Sequence, residues 1–113
     1  MFFGVYFLLI ILLDMNEKQV VGLCHILIRG SIGRYGIVID RKFRRKGLAL
    51  RLSNKAFYLA KKKNVKRVRL IVDYDNLPAL SLYKKLGFVI VGSKATKRFN
   101  SSIKCFVMEL ILV

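Results

Sequence analysis

Proline, cysteine, histidine, tryptophan and acidic residues are all scarce in this chain. It has one proline, two cysteines, one histidine, no tryptophan and six acidic residues. Two cysteines without a secretory signal do not make a disulfide scaffold, and the spacing of Cys24 and Cys105 to His25 fits no metal-binding pattern. We therefore predict that no metal is bound and that both thiols are small, largely buried residues.

The first 13 residues carry no charge. A membrane-spanning helix needs about 20 apolar residues, and a signal peptide needs a basic start and small residues at its cleavage site. Neither pattern is present, so we predict no transmembrane segment and a cytoplasmic protein. The aromatic and branched residues favour a buried strand over residues 3–13. The alternative is that this end inserts into a membrane or a dimer interface.

Basic residues greatly outnumber the few acidic residues. Lysine and arginine total 22, which gives a net charge of +16 in 113 residues. The hydrophobic fraction of 55% excludes a disordered chain, and the length predicts a single domain over 1–113. So large an excess favours anionic partners and makes nucleic-acid binding a candidate property.

The hydrophobic pattern predicts an α/β (α+β) chain with a mixed sheet. Helical periodicity predicts one helix from about Gly47 to Lys63, and a second between a cap at Asp75 or Asn76 and Gly87. The first helix would make a right-handed crossover between parallel strands. We read residues 92–102 as a polar, basic loop. The predicted strands cover 3–13, 19–29, 34–40, 65–73, 88–91 and 103–112.

A basic turn at the start of the first helix is the main functional signal. Residues 41–49 read Arg-Lys-Phe-Arg-Arg-Lys-Gly-Leu-Ala and follow a short apolar run. Free backbone N–H groups and the helix dipole favour an anion at such a position, and Gly47 lets a ligand approach the backbone. Charged turns before helices are common, however, so the motif alone also fits an ordinary solvated loop.

A second motif makes the first more specific. Asn76 is followed by Tyr83 seven residues later and then by Leu-Gly-Phe at 86–88. Together with Arg44-Arg45-Lys46-Gly47-Leu48-Ala49, in this order, the chain from about Val20 to Val113 resembles the GNAT superfamily of acyl-CoA-dependent N-acetyltransferases. The resemblance implies a three-layer, GNAT-like acyl-CoA N-acyltransferase fold with acetyl-CoA as the cosubstrate.

The same resemblance implies a role for each motif residue. The backbone of Ile37, Val38 and Ile39 would hydrogen-bond the pantetheine arm. Asn76 would bind the cofactor arm or serve only as a helix cap, and Tyr83 would protonate the leaving thiolate or serve only as a core aromatic. The pyrophosphate would lie on the N–H groups of residues 45–49, with charge from the preceding turn; the residues implied are Arg44, Arg45, Lys46, Gly47, Leu48 and Ala49.

The chain departs from the family pattern at its start. Family members begin with a strand and two helices that wall the acceptor site, and here roughly that first third is missing, so we expect an N-terminally truncated version of the fold. No motif in the sequence identifies the general base. Asp40 and Asp73 end strands that flank the implied site but also fit turn and cap positions, and His25 fits a half-buried strand residue better than a base.

Three functions therefore stay open. The first is an acetyl-CoA-dependent N-acetyltransferase that acts on a primary amine: a protein N-terminus, a lysine or a small amine. The second is a CoA-binding module without transferase activity, and the third is a basic nucleic-acid-binding protein on the same fold. Because exposed strand edges need cover, we also predict a homodimer that pairs the apolar N-terminal run with the last strand, 103–112.

Overall fold

Six strands form one mixed sheet in the computed structural model, which describes residues 5–14 and 18–113. The strand order is β1-β2-β3-β4-β6-β5. The strands are β1 (Val5–Asp14), β2 (Gln19–Arg29), β3 (Ile32–Ile39), β4 (Arg67–Asp73), β5 (Val89–Arg98) and β6 (Ser101–Ile111). The helices are α1 (Leu48–Lys62) and α2 (Leu77–Leu86), and a short 3₁₀ turn covers Arg41–Phe43.

The first three strands form an antiparallel meander. β1 pairs with β2 along its whole length, which confirms the predicted hairpin and the strand interpretation of the apolar run for residues 5–14. Residues 3 and 4 of that predicted strand lie outside the described residues. β3 begins at Ile32, two residues earlier than predicted, because its pairing with Arg29 continues the ladder to a tight turn at Gly30.

β3 and β4 are parallel but pair over three residues only. The pairs are Ile32 with Arg67, Gly33 with Val68, and Arg34 with Arg69. Beyond Arg34, β3 stays paired to β2 as far as Ile39, while β4 stays paired to β6 as far as Asp73. The two strands therefore diverge toward their carboxyl ends and leave a gap in the middle of the sheet.

The sequence explains both helices. In α1 the buried residues recur at helical spacing, and the helix ends where Asn64 adopts a left-handed conformation (φ 66°), as predicted. Asn76 caps α2, Pro78 lies in its first turn, and Gly87 (φ 101°) ends it. The described ranges contain no helix that is long and apolar enough to span a membrane. The buried residues of α1 are Leu52, Ser53, Ala56, Phe57 and Ala60.

Both helices cover the same face of the sheet. The Tyr35 ring on β3 contacts Phe57 of α1 (5.1 Å between ring centroids) and Tyr83 of α2 (6.0 Å). Phe88 stacks on Tyr35 at 5.7 Å and completes an aromatic cluster at the core. The opposite face bears Arg34, Arg67 and Arg69 and carries no helix within the described ranges. The predicted three-layer arrangement is therefore not met by these residues, which form two layers.

The C-terminal hairpin corrects two predictions. The predicted loop at 92–102 is wrong: β5 continues to Arg98, and a turn with left-handed residues at Phe99 and Asn100 leads into β6 at Ser101. β5 is exposed on both faces, so its sequence lacks the alternation typical of a strand. β6 lies between β4 and β5, so the prediction that this strand pairs across a homodimer is also wrong. In the described sheet the edges are β1 and β5.

A buried hydroxyl pair links β3 to α1 and predicts a non-additive effect on stability. The Tyr35 hydroxyl lies 2.5 Å from Ser53 Oγ. Ser53→Ala alone leaves the Tyr35 hydroxyl buried without its partner, which costs about 1–3 kcal/mol of unfolding free energy, and Tyr35→Phe alone leaves Ser53 with the Cys24 thiol as its remaining partner. The double variant leaves neither hydroxyl, so we expect it to lose clearly less than the sum of the two. Urea unfolding measures all three, and strictly additive losses would contradict the coupling.

Candidate functional site

The chain folds back on itself directly after β3. The Asp40 carboxylate accepts a hydrogen bond from the Lys42 backbone N–H (2.9 Å) and so caps the 3₁₀ turn. Arg44 Nε donates to the carbonyl oxygen of Ile39 at 3.2 Å. Side chains of the turn thus fasten it to the carboxyl end of β3, and the next residues are placed at the start of α1.

The turn between Arg44 and α1 presents backbone donors without a competing acid. Arg45 (φ 64°) and Gly47 (φ 73°) are both left-handed. Gly47 offers no side-chain cap, and the first turn of α1 contains no acidic residue. The N–H groups of that turn have no partner within the helix, and the helix dipole adds positive potential there. This arrangement is suited to bind an anion such as a phosphate.

A cleft of about 480 Å³ opens between this turn and α2. We call it the turn cleft, and its volume lies in the range typical of small-molecule sites. It brings together six of the predicted site residues: Ile39, Arg44, Arg45, Gly47, Leu48 and Ala49. The opposite wall was missed by the sequence analysis, although its spacing of three, four and seven residues marks one helix face; it consists of Pro78, Ser81, Leu82 and Lys85.

The other predicted residues lie beside the turn cleft. Lys46 places its ammonium 5.5 Å from the centre of the Phe43 ring, and Phe43 lines the cleft. Ile37 packs against the core, whereas the Val38 side chain is 59% exposed. Both residues pair with β2 on one side. On the other side they face the gap left by β4. The backbone edge on that side is therefore free of a strand partner.

Asn76 caps α2, which is one of the two roles predicted for it. Its Oδ1 accepts a hydrogen bond from the Ala79 backbone N–H at 3.3 Å. The residue is exposed and lies outside the walls of the turn cleft. Because the cap uses the amide oxygen alone, the amide nitrogen of Asn76 keeps its two hydrogens for a ligand.

Tyr83 is half-buried in the aromatic cluster on α2. Its ring lies edge-on to Tyr35 and Phe88, at 6.0 and 5.9 Å between centroids. Within the described ranges its hydroxyl has no hydrogen-bond partner. Burial, and secondarily the nearby Cys24 thiol, raise the pKa of the Tyr83 hydroxyl above its ordinary value. The hydroxyl therefore stays protonated at neutral pH, as a proton donor must be.

The candidate bases and thiols have structural roles. Asp40 caps the turn, and Asp73 accepts two hydrogen bonds from the Arg98 guanidinium, at 2.9 and 2.6 Å. Cys24 and Cys105 are buried, as predicted, and burial raises the pKa of the Cys24 thiol to about 12. His25 is half-buried on β2, with its ring packed over Gly36.

The fold and the site together define a family. The sequence profile of the Acetyltransferase (GNAT) family matches residues 4–88. The chain belongs to the GNAT family. The profile thus includes β1, which lies ahead of the stretch from which the resemblance was drawn.

Individual relatives fit the same assignment. L-amino acid N-acetyltransferase AaaT of Escherichia coli (strain K12) is 33% identical over 66 residues, which are 58% of this chain and 41% of that protein. A GNAT-family acetyltransferase from Streptococcus pneumoniae superposes with a TM-score of 0.75 and 27% identity, over 84% of this chain and 62% of that one. A spermidine N-acetyltransferase SpeG chimera from Vibrio cholerae and hSSAT has a TM-score of 0.82 at 22% identity, over 94% and 67% of the two chains, which shows a shared fold. The chain thus spans less than two thirds of the first two relatives.

The Asp73–Arg98 pair generates a prediction about pH. Hydrogen bonds from Arg98 lower the pKa of the Asp73 carboxyl below its ordinary value of 3.8. Its contribution to stability is therefore present above the unfolded-state pKa and is lost as the pH falls through the folded-state pKa. Arg98→Gln should raise the Asp73 pKa toward the ordinary value, as measured by NMR titration of the carboxyl carbon. An unchanged pKa in this variant would show that Arg98 does not hold the carboxylate in solution.

Proposed function

We propose that this chain is an acetyl-CoA-dependent N-acetyltransferase that moves an acetyl group to a primary amine. The observation that carries the proposal is the turn cleft, where an acid-free helix N-terminus and two arginines meet the free edge of β3. Membership of the GNAT family supports the same reaction class. By their names, AaaT acts on L-amino acids and SpeG on spermidine, which supports an amine acceptor.

The residues present fit the cofactor in two parts. The pyrophosphate would be held by the N–H groups of residues 45–49, with charge from Arg44, Arg45 and Lys46. The pantetheine arm would extend along residues 37–39, whose outer backbone edge is free because β4 has diverged. The Asn76 amide nitrogen would donate a hydrogen bond to the same arm. Among the described residues none of these groups is paired with a carboxylate, and the one bond between the two parts of the site runs from Arg44 Nε to the Ile39 carbonyl oxygen.

The reaction needs an attacking amine and a proton for the leaving thiolate. The neutral amine nitrogen attacks the thioester carbonyl carbon, a C–N bond forms, and the C–S bond breaks. The Tyr83 hydroxyl gives its proton to the thiolate, and the nitrogen loses its proton to solvent. The tyrosinate then takes a proton from solvent, which restores the tyrosine. Backbone N–H groups near Val38 and Ile39 would polarise the carbonyl oxygen. The position of Tyr83 supports its role as the acid, because its ring is half-buried beside Tyr35 at the gap between β3 and β4.

Any binding test needs a control for non-specific binding of anions to the positive net charge. At +16 the chain attracts polyanions of many kinds, and such binding weakens steeply as salt rises. CoA held by directed N–H groups should instead survive physiological salt and be preferred to ATP. Equal binding of CoA, ATP and nucleic acid would favour the nucleic-acid alternative, whereas selective CoA binding without turnover would favour a CoA-binding module.

Substitution of Gly47 tests the phosphate site. Gly47→Glu places a carboxylate where the pyrophosphate would bind, so we expect CoA affinity to fall by at least about 100-fold. Calorimetric titration with acetyl-CoA at physiological salt measures the change.

Gly30→Glu is the matched control. Gly30 has a similar φ (62° against 73°), equally open space around an added Cβ, and a position at the opposite end of β3. It therefore reproduces the backbone strain and the charge change without the site. Equal losses in the two variants, or none in either, would overturn the placement of the phosphates.

Tyr83→Phe tests the proton donor. We expect kcat to fall about 100-fold or more, with the dissociation constant for acetyl-CoA nearly unchanged. Release of free CoA follows turnover, and calorimetry follows binding. Tyr58→Phe is the control, because Tyr58 is 54% exposed on α1 and lies beneath two lysines away from the core. Full kcat in the Tyr83→Phe protein would show that Tyr83 is not the proton donor and serves only as a core aromatic.

A further inference from the structure

The solvent-facing side of α1 carries a row of cations around one aromatic ring. Its members recur at intervals of four, three and four residues, which places them on one side of the helix. That side lies opposite the buried residues Leu52, Ala56 and Ala60, and every member is exposed. We call this set the α1 stripe; it consists of Arg51, Lys55, Tyr58 and Lys62.

No acidic residue balances the charge of the α1 stripe. The sequence contains no aspartate or glutamate from residue 41 to residue 72. Within residues 5–14 and 18–113, the ion pairs join Asp73 and Glu109 to arginines on the strands, and none includes a residue of the stripe. The helix dipole favours Lys62 in the last turn of α1 but disfavours Arg51 in the first. Folding therefore gains little from these cations, which remain available to an anionic partner.

Tyr58 gives the α1 stripe an aromatic surface. The side chain is 54% exposed, and the ammonium groups of Lys62 and Lys55 lie 4.6 and 5.8 Å from the centre of its ring. Proteins bind single-stranded nucleic acid with this combination, because cations follow the phosphates while aromatic rings stack with the bases. A base that stacks on Tyr58 would displace a lysine from the ring, and its ammonium could then pair with a phosphate.

The packing of α1 favours one class of anionic partner. A helix that lies on a membrane inserts its apolar face, but the apolar face of α1 is buried against the sheet. Polyphosphate and an acidic protein surface offer negative charge without a regular series of planar rings. A single strand of nucleic acid offers both along its length. At 1.5 Å per residue the stripe spans roughly 16 Å, so it would contact a short single-stranded segment.

We propose that the α1 stripe binds single-stranded nucleic acid, with its three cations on the phosphates and a base stacked on Tyr58. This surface is separate from the turn cleft, because no residue of the stripe lines the cleft. Binding at the stripe goes beyond the proposed transferase reaction and does not depend on it. The residues that α1 contributes to the turn cleft are Leu48, Ala49 and Leu50.

Substitution of Tyr58 tests the stacking. Fluorescence anisotropy measures the binding of a short, fluorescein-labelled oligouridylate at physiological salt. Tyr58→Ala should weaken this binding about 5- to 100-fold, because the base loses its stacking surface. Tyr58→Phe keeps the ring and should bind nearly as tightly as the parent protein. Neither variant should change the affinity for inorganic polyphosphate, which carries no base.

Paired lysine variants test the location of the phosphates. Lys55→Gln combined with Lys62→Gln removes two phosphate contacts, so the slope of log affinity against log salt should become shallower by about 1.4. Lys94→Gln combined with Lys97→Gln is the matched control. Both of these lysines are exposed on the edge strand β5, whereas α1 packs over β1, β2 and β3. The control removes the same charge and should leave the slope nearly unchanged.

Several results would overturn the inference. They are full oligouridylate binding by Tyr58→Ala, an equal loss of oligouridylate and polyphosphate binding in that variant, equal slope changes in the two lysine pairs, and tighter binding of duplex RNA than of the single strand. Displacement of the oligouridylate by acetyl-CoA would also overturn it, because the strand would then lie in the turn cleft.

The same measurements separate this inference from the transferase proposal. Turnover of acetyl-CoA by a protein that does not bind oligouridylate would count against the nucleic-acid site alone. Oligouridylate binding that depends on Tyr58, in a protein that does not bind acetyl-CoA, would support the nucleic-acid site and count against the transferase alone.

Discussion

The separation of β3 from β4 is the constraint on which the rest of the structure depends. The two parallel strands share only three pairs, and each then follows its other neighbour. Unpaired backbone polar groups inside a sheet are costly, so a gap of this kind is normally filled by a ligand, by water or by side chains. Tyr35 stands one residue beyond the last pair, and its aromatic cluster fills the helix side of the gap. The free edge of β3 then leads to the turn cleft.

The two faces of the sheet differ strongly in polarity. Apolar residues of β2, β4 and β6 meet α1 and α2 on one face and form the core. The other face carries the arginines Arg29, Arg34, Arg67 and Arg69, the buried Glu109, and a cavity of about 340 Å³. A cofactor that lay along the free edge of β3 would have its phosphates at the turn cleft, on the helix-covered side. Its reactive group would then lie next to the open, positively charged face. Charged residues lie on the open face because their side chains stay hydrated there, whereas the face under the helices is apolar because burial of an unpaired charge is costly.

Local sequence signals were sufficient where the chain itself determines the conformation. Asn64, Asn76, Pro78 and Gly87 lie at helix ends for reasons of capping and backbone conformation, and each lies where the pattern placed it. The alternation in β4 likewise predicted which of its residues are buried. The prediction failed at β5, where polar residues on both faces removed the alternation. That strand exists because β6 supplies a ladder of hydrogen bonds, which no local pattern reveals.

By itself, the sequence determined the order of strands and helices, the basic turn ahead of α1, and the family to which the chain belongs. It also predicted six of the twelve residues that line the turn cleft, because those six lie close together in the chain at the end of β3, in the turn that follows it and at the start of α1. Only the tertiary structure placed α1 and α2 on one face, inserted β6 between β4 and β5, and brought α2 to the far wall of the cleft. It alone brought Arg34 beside Arg69, at a place where no acid of residues 5–14 or 18–113 pairs with Arg34. These features depend on contacts between residues far apart in the chain, whose free energy is decided by packing and charge rather than by local propensity.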